Sequence, residues 1–337
     1  MAGGLEEKRK PPVRVQMIGT GAYVPEKVVT NRDLEKEIDT TDQWIVERTG
    51  VRERRVAAKE EATSDLAVAA ARKALEAAAV SPDEIDLIIV ATCTSDMFFP
   101  STACIVQDKL KATRAAAFDL SAACSGFLYA LSVGEQYVRS GTHQKVLVIG
   151  AEVMSRLIDW TDRRTCVLFG DGAGAVVLGP SSSESGVLST HLRSDGSLWD
   201  LICVPGGGVA MPPSEKVLAE RLNTIKMKGN ETFKVAVRNL EEVAREALKA
   251  NDLSPSQVAY IVPHQANIRI IGAVADRLGF SMDKVVINLD RYGNTSAASI
   301  PIALDEAVRD GRITTGSILL FLAFGGGLTW ASSIVRW

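Results

Sequence analysis

The sequence predicts an α/β protein built from two pseudo-symmetric, βαβ-rich halves. An internal repeat is the first sign. Ala71-Arg-Lys-Ala-Leu-Glu-Ala-Ala-Ala-Val-Ser-Pro82 recurs as Ala244-Arg-Glu-Ala-Leu-Lys-Ala-Asn-Asp-Leu-Ser-Pro255. Each copy has helical apolar spacing and stops at a Ser-Pro turn. Each then runs into a short apolar segment, residues 85–90 and 258–262, of the kind that forms a strand buried on both faces. Composition agrees. Of 337 residues 46% are hydrophobic but only 6% aromatic, which suits closely packed layers of sheet and helix.

The pattern continues in order. Residues 116–120 form an apolar strand leading into Ser121-Ala-Ala-Cys124, a helical stretch and a strand over 145–149. In the second half residues 285–289 read as the matching strand, leading into Tyr292-Gly-Asn294, a helical stretch and a strand over 317–322. A period this long fits duplication and not a solenoid. The expected division is a charged tail at residues 1–12, a first half over 13–184 and a second over 185–337. Ser and Gly cluster at the junction, over residues 180–186. Two related halves invite a site between them, with chemistry at matching strand ends.

Several function classes fall away. A net charge of -3 gives no global attraction to nucleic acid or to an anionic membrane. No apolar run reaches the roughly 18–20 residues that span a bilayer, and the start carries no hydrophobic signal region. The five cysteines, Cys93, Cys104, Cys124, Cys166 and Cys203, make no Cys-x-x-Cys pair. That excludes a zinc motif and a disulfide framework and suggests a reducing cytoplasm.

Cys124 is the candidate nucleophile. It follows a strand and precedes a helix, where exposed N–H groups and the helix dipole favour thiolate. Small neighbours, Ala122, Ala123, Ser125 and Gly126, allow close approach of substrate, and the setting is that of a nucleophile elbow with sulfur for oxygen. A buried, inert thiol is the alternative. The other cysteines lack this turn, although Cys93 and Cys104 could lie nearby. Of three histidines, His143 and His191 sit in polar, surface-like stretches. His264 ends a strand in Pro263-His-Gln-Ala-Asn267 and is placed to donate into a cleft. Asn294, in Tyr292-Gly-Asn-Thr-Ser296, is either a turn or cap residue or an amide donor to developing negative charge. The run Phe324-Gly-Gly-Gly-Leu-Thr-Trp330 is a hairpin turn or an oxyanion-binding backbone. Gly19-Thr-Gly21 and Gly170-Asp-Gly-Ala-Gly174 are rejected as phosphate loops, the first because it lacks the third spaced glycine. The second of them runs directly into a strand.

From about Val15 onward these motifs, with Asp42-Gln-Trp-Ile-Val-Glu-Arg-Thr-Gly50 and Ala323-Phe-Gly-Gly-Gly327, closely resemble β-ketoacyl-(acyl carrier protein) synthase III. The resemblance implies a thiolase-like fold, a layered α-β-α-β-α sandwich, and a homodimer. It implies Cys124 as the acylated nucleophile, with Gly326 and the Cys124 N–H as oxyanion hole. His264 and Asn294 would hydrogen-bond a malonyl thioester. Thr40, Trp44, Arg48, Arg163 and Asn267 would contact coenzyme A. Phe99 would close the primer pocket across the dimer, and Lys234 and Arg269 would hold the acidic carrier protein. Coenzyme A thioesters are then substrates, with no resident cofactor and no metal. The segment Ser95-Asp-Met-Phe-Phe-Pro100 and Arg164 depart from commoner versions, which leaves primer size open. A polyketide condensing enzyme, a cysteine hydrolase and a non-catalytic carrier-protein scaffold stand as alternatives.

Overall fold

The computed structural model describes residues 13–337, so the expected tail at residues 1–12 lies outside the described residues. The first part of the chain runs β1 (Arg14–Tyr23), β2 (Val28–Thr30), α1 (Asn31–Leu34), α2 (Asp42–Thr49), β3 (Glu53–Arg55) and α3 (Thr63–Ala78). It goes on through β4 (Leu87–Ala91), α4 (Thr102–Leu110), β5 (Ala116–Leu120), α5 (Gly126–Arg139), β6 (Val146–Val153) and β7 (Asp171–Ser181). There follow β8 (Gly186–Ser194), β9 (Ile202–Cys203), α6 (Glu215–Ala219), β10 (Lys226–Met227), α7 (Gly229–Ala250) and β11 (Tyr260–Pro263). The chain closes with α8 (Ile268–Leu278), α9 (Leu289–Tyr292), α10 (Ser299–Arg309), β12 (Ile318–Gly325) and β13 (Thr329–Arg336).

Two sheets repeat one topology. The first has the order β1-β7-β6-β4-β5 and the second the order β8-β13-β12-β11. In both, the first three strands pair antiparallel and the next pair is parallel. β5 adds a parallel fifth strand to the first sheet. Its expected counterpart over residues 285–289 is not a strand. Only Val285 bridges to Ile261. The Gln265 side chain replaces the ladder there, accepting from the N–H groups of Asn288 and Leu289 and donating to the carbonyls of Pro263 and Val286. Backbone donors satisfied by a side chain need no partner strand.

Side-chain alternation along the strands produces five layers. Ile88 and Val90 of β4 and Leu147 and Ile149 of β6 pack toward α3 and α4, among Leu66, Ala70, Ala74 and Val106. Leu87 and Ile89, with Val146 and Val148, face the other way onto α5 and α10, against Phe127, Leu131, Ile300 and Leu304. Leu319 and Phe321 of β12 meet the same two helices from the second sheet. Leu320 and Leu322 turn outward to α7 and α8, among Leu240, Val243, Ile271 and Val274. The period of two along each strand thus assigns alternate residues to different layers, in the order α-β-α-β-α.

Glycines set how closely the layers approach. The run Gly170-Asp-Gly-Ala-Gly174 does not precede a strand: from Asp171 it is part of β7. At Gly174 a Cβ would lie 2.7 Å from Pro301 and Ile302 atoms of α10. At Gly150, on β6, it would lie 2.3 Å from the carbonyl oxygen of Ala297, in the turn that opens α10. We predict that Gly150→Ala destabilises the fold by about 1–3 kcal/mol, as overpacking does, and displaces the Asn294–Ala297 turn. Urea unfolding together with turnover checks this; unchanged values for both would show that the contact is soft.

Candidate active site

β5, β11 and β12 end on one side of the layered body, and the three candidate groups follow those ends. Cys124 lies four residues beyond β5, His264 directly follows β11, and Gly326 directly follows β12. Together with Asn294 they line one cleft of about 640 Å³.

Cys124 occupies a single helical turn, Ala123–Ser125, that leads into α5. Ala123 has φ +47°, a left-handed conformation that costs a non-glycine residue about 1–3 kcal/mol. The β12–β13 hairpin holds this turn in place. Ser125 Oγ donates to the Thr329 carbonyl and Thr329 Oγ1 donates to the Ala122 carbonyl, each at 2.9 Å. A Cβ at Gly325 would stand 2.6 Å from the Cys124 nitrogen, so only glycine lets the hairpin lie against the nucleophile turn. The glycine run is therefore a hairpin turn and a wall of the cleft at once.

The expected depression of the thiol is not found. Burial pushes the Cys124 thiol up to about 11, with the nearby Glu152 carboxylate adding to the rise and the Ser296 hydroxyl opposing it. A helix N-terminus favours thiolate only as far as desolvation allows. The resting group is a thiol.

Hydrogen bonds define how the other two groups face the cleft. His264 is buried, and its Nδ1 lies 2.7 Å from Ser299 Oγ. That oxygen also accepts from the Gln265 N–H, and with Nδ1 engaged by Ser299 the Nε2 atom is the ring nitrogen left for a group in the cleft. Desolvation lowers the His264 pKa to about 3, and the ring is neutral at ordinary pH. Asn294 is held through its backbone: its N–H donates to the Leu168 carbonyl, and its carbonyl accepts from the Gly170 N–H. Its Oδ1 accepts from the Ser296 N–H at 2.8 Å. That bond fixes the amide so that Nδ2 is left to donate. The turn role and the donor role considered for Asn294 are thus compatible, and neither side chain carries positive charge.

At the mouth, Trp44 lies between Arg48 and Arg163, whose guanidinium carbons are 5.7 and 5.3 Å from the ring centroid. All three line the cleft, as does Asn267. Asn267 caps α8 through Oδ1 to the Arg269 N–H and donates Nδ2 to the Arg48 carbonyl. Thr40 lies outside the cleft lining, its buried hydroxyl without a hydrogen-bond partner among the described residues. Arg164 also faces the cleft, paired with Asp162. Arg269 is exposed on α8, stacked over Phe233 of α7, and Lys234 is exposed on α7. Phe99 does not reach this chain's own cleft: it is 84% exposed, and Phe98 beside it lines the cleft instead.

Cys93 and Cys203 line the cleft and Cys104 does not; Cys166 is buried. His143 packs edge-on against Tyr137. His191 lies in β8, half-buried and 3.3 Å from Glu246. Sequence reading missed Glu152, which is fully buried beside the nucleophile. A single acid inside the apolar run 146–154 was the available signal. Among the described residues no group of three or more His, Cys, Asp or Glu could hold a metal, and no helix is long and apolar enough to cross a membrane.

A thiol on a strained turn, a neutral imidazole and an oriented amide, gathered in one cleft of a doubled five-layer body, define a condensing acyltransferase of the thiolase fold. Family models described as 3-oxoacyl-[acyl-carrier-protein (ACP)] synthase III and its C-terminal part match residues 118–196 and 248–337. The β-ketoacyl-[acyl-carrier-protein] synthase III of Caldanaerobacter subterraneus is 54% identical over 321 residues, 95% of this chain and 97% of that protein. The crystal structure of 3-oxoacyl-[acyl-carrier-protein] synthase III from Aquifex aeolicus superposes with TM-score 0.89 at 50% identity, covering 96% of this chain and all of that one. A priming β-ketosynthase of the R1128 polyketide pathway gives TM-score 0.89 at 37% identity over 98% of both chains. The chain belongs to the β-ketoacyl-(acyl carrier protein) synthase III family, the condensing acyltransferases of fatty-acid synthesis.

The neutral imidazole has a measurable consequence. Between pH values near 6.5 and 3, the unfolded chain binds a proton at His264 that the folded chain refuses. Folding stability is therefore lost as pH falls through that window. We predict that this component disappears in His264→Gln. Urea midpoints measured from pH 7 downward should diverge for the two proteins, and parallel curves would show that the ring is not held neutral.

Proposed function

We propose that the chain catalyses the decarboxylating Claisen condensation of a short acyl-CoA with malonyl-(acyl carrier protein), the initiating step of fatty-acid synthesis. The observation that carries it is the convergence of Cys124, the neutral His264 ring and the Asn294 amide on one cleft.

In the first half-reaction the Cys124 thiolate attacks the acyl thioester and coenzyme A leaves. The tetrahedral oxyanion is received by the N–H groups of Cys124 and Gly326. In the second, the malonyl thioester loses carbon dioxide, and its oxygen becomes an enolate. His264 and Asn294 donate to that oxygen, and being uncharged they stabilise it only as the charge develops. The carbanion then attacks the acyl group and releases Cys124.

The mouth supports a coenzyme A thioester, with Trp44 and Arg163 around the adenine and Arg48 and Asn267 along the phosphates and pantetheine; Thr40, outside the cleft lining, is not needed for this reading. The exposed Lys234 and Arg269 supply positive charge for an acidic carrier protein. The exposed Met97, Phe98 and Phe99 support a homodimer in which Phe99 closes the primer pocket of the second copy. On this reading no cofactor resides in the protein and no metal is required. The chain divides near residue 184 into a nucleophile half and a donor half, and five free cysteines suit a cytoplasmic setting. Priming of polyketide assembly is a second reading, favoured by the likeness to the R1128 ketosynthase.

Two outcomes are expected. Cys124→Ser abolishes covalent acetylation by acetyl-CoA, seen by intact mass; labelling that persists removes Cys124 as nucleophile. Asn294→Ala and His264→Ala each slow malonyl decarboxylation by about 10²–10³-fold, the usual effect of losing an oxyanion donor, and spare acyl transfer. Equal loss in both half-reactions would refute the division of roles.

A further inference from the structure

A fully buried cation stands outside the cleft lining, and the condensation described above does not use it. Arg54, on β3, is 0% exposed. Its hydrogen bonds all go to uncharged oxygens. Nη1 donates to the Val29 carbonyl at 3.1 Å, and Nη2 donates to Asn31 Oδ1 and to the Val167 carbonyl, each at 2.9 Å. Nε has no partner among the described residues. Burial lowers the Arg54 pKa to about 10, which leaves the guanidinium charged at neutral pH. Burying such a charge costs stability that an apolar side chain of similar volume would not. Its bonds are therefore the place to look for a role.

Val167 opens the segment of cleft wall that grips Asn294. Asn294 donates its N–H to the Leu168 carbonyl at 2.8 Å, and its carbonyl accepts from the Gly170 N–H at 3.1 Å. One end of this segment is fixed at Asp171, where β7 begins. The other end is held by Arg54 at the Val167 carbonyl, next to a turn in which the Leu168 N–H donates to the Thr165 carbonyl. The stem of Arg54 also lies against both chains of the junction. A Cβ on Gly170 would stand 3.1 Å from the Arg54 Cβ, and one on Gly293 would stand 3.5 Å from it. Gly293 has φ +65°, and its own Cβ would come within 2.7 Å of the Leu168 carbonyl oxygen. The two chains on either side of Asn294 thus rest on one side chain.

Arg54 is itself fixed from its far side. Asn31, which accepts from it, donates Nδ2 to Asp42 Oδ1 and to the Val51 carbonyl, each at 2.8 Å. Asp42 opens α2, the helix that bears Trp44 and Arg48. A planar guanidinium bonded through both Nη atoms keeps Val29, Asn31 and Val167 in fixed directions from one another. A lysine ammonium is a single point on a flexible stem and holds no such fork.

We infer that Arg54 is a positioning residue for Asn294, fixing the Val167–Gly170 segment so that the amide meets the enolate oxygen during malonyl decarboxylation. The role builds on the reading of Asn294 as a donor in that step. Arg54 acts only through backbone, and it is absent from the cleft lining. Cys124 and Gly326 depend on other elements, the turn before α5 and the end of β12. Acyl transfer does not share this support, so the two half-reactions should separate. A preorganised donor is effective only where it is already aimed, and a misplacement of about 1 Å can cost on the order of 10²-fold.

The test compares two half-reactions of the full-length chain: acetylation of Cys124 by acetyl-CoA, and release of carbon dioxide from malonyl-(acyl carrier protein). Arg54→Met should slow decarboxylation by about 10–10²-fold. The loss should fall on kcat with KM nearly unchanged, because no substrate contact is removed, and acetylation should change far less. Arg54→Lys should follow Arg54→Met, since the fork is lost in both. Added to Asn294→Ala, Arg54→Met should slow decarboxylation no further, because the group it positions is already gone. Equal losses in the two half-reactions, or losses that multiply in the double variant, overturn the inference. Failure of both Arg54 variants to fold also overturns it, since the residue then belongs to the scaffold. If Asn294→Ala slows decarboxylation and the Arg54 variants do not, only the positioning role falls. If Asn294→Ala leaves decarboxylation intact, the donor reading falls and this role with it.

Discussion

Everything in the site depends on the packing of two short turns, Ala123–Ser125 and Ser296–Ala298, against each other in the central layer. Each opens a helix of that layer, and each begins with a non-glycine residue at positive φ, Ala123 at +47° and Ser296 at +49°. The correspondence is by position and not by chemistry. Cys124 in one turn takes the place that Ala297 takes in the other. One turn thus carries Cys124 and the other carries groups that surround it. The strain in each turn is offset by neighbours that allow no other path: Gly150 under Ala297, and Gly325 against the Cys124 nitrogen.

This constraint explains why the donors are neutral. His264 and Asn294 are both buried, and both are oriented by groups within a few residues of the second turn, Ser299 and Ser296. Water is excluded there, so a permanent positive charge would be costly, while an N–H dipole already aimed needs no reorganisation when charge develops.

Much of the architecture was legible in the sequence because it rests on local signals. The repeated helix, the Ser-Pro stops and the apolar strands appear where periodicity puts them, and His264 stands at the strand end its neighbours suggest. The failures share a cause. Residues 285–289 read as a strand, but a side chain distant in sequence, Gln265, takes their backbone hydrogen bonds. The Cys124 thiol was expected to be acidic from its helix alone, but the β12–β13 hairpin and Glu152 control its surroundings. Thr40 came only from resemblance and lies outside this chain's cleft lining, while Phe99, expected to act on the other copy, is exposed here. Long-range burial is what a local pattern does not carry.

One modest residue, Asn267, ties the entrance to the floor. Its amide starts the helix that follows His264 and also grips the carbonyl of Arg48, in the helix that bears Trp44. The two ends of the cleft are therefore braced by one side chain, and the span between them cannot stretch independently. The amide that starts α8 is the one that fixes the Arg48 carbonyl, so a change at this single position would loosen both helices where they meet.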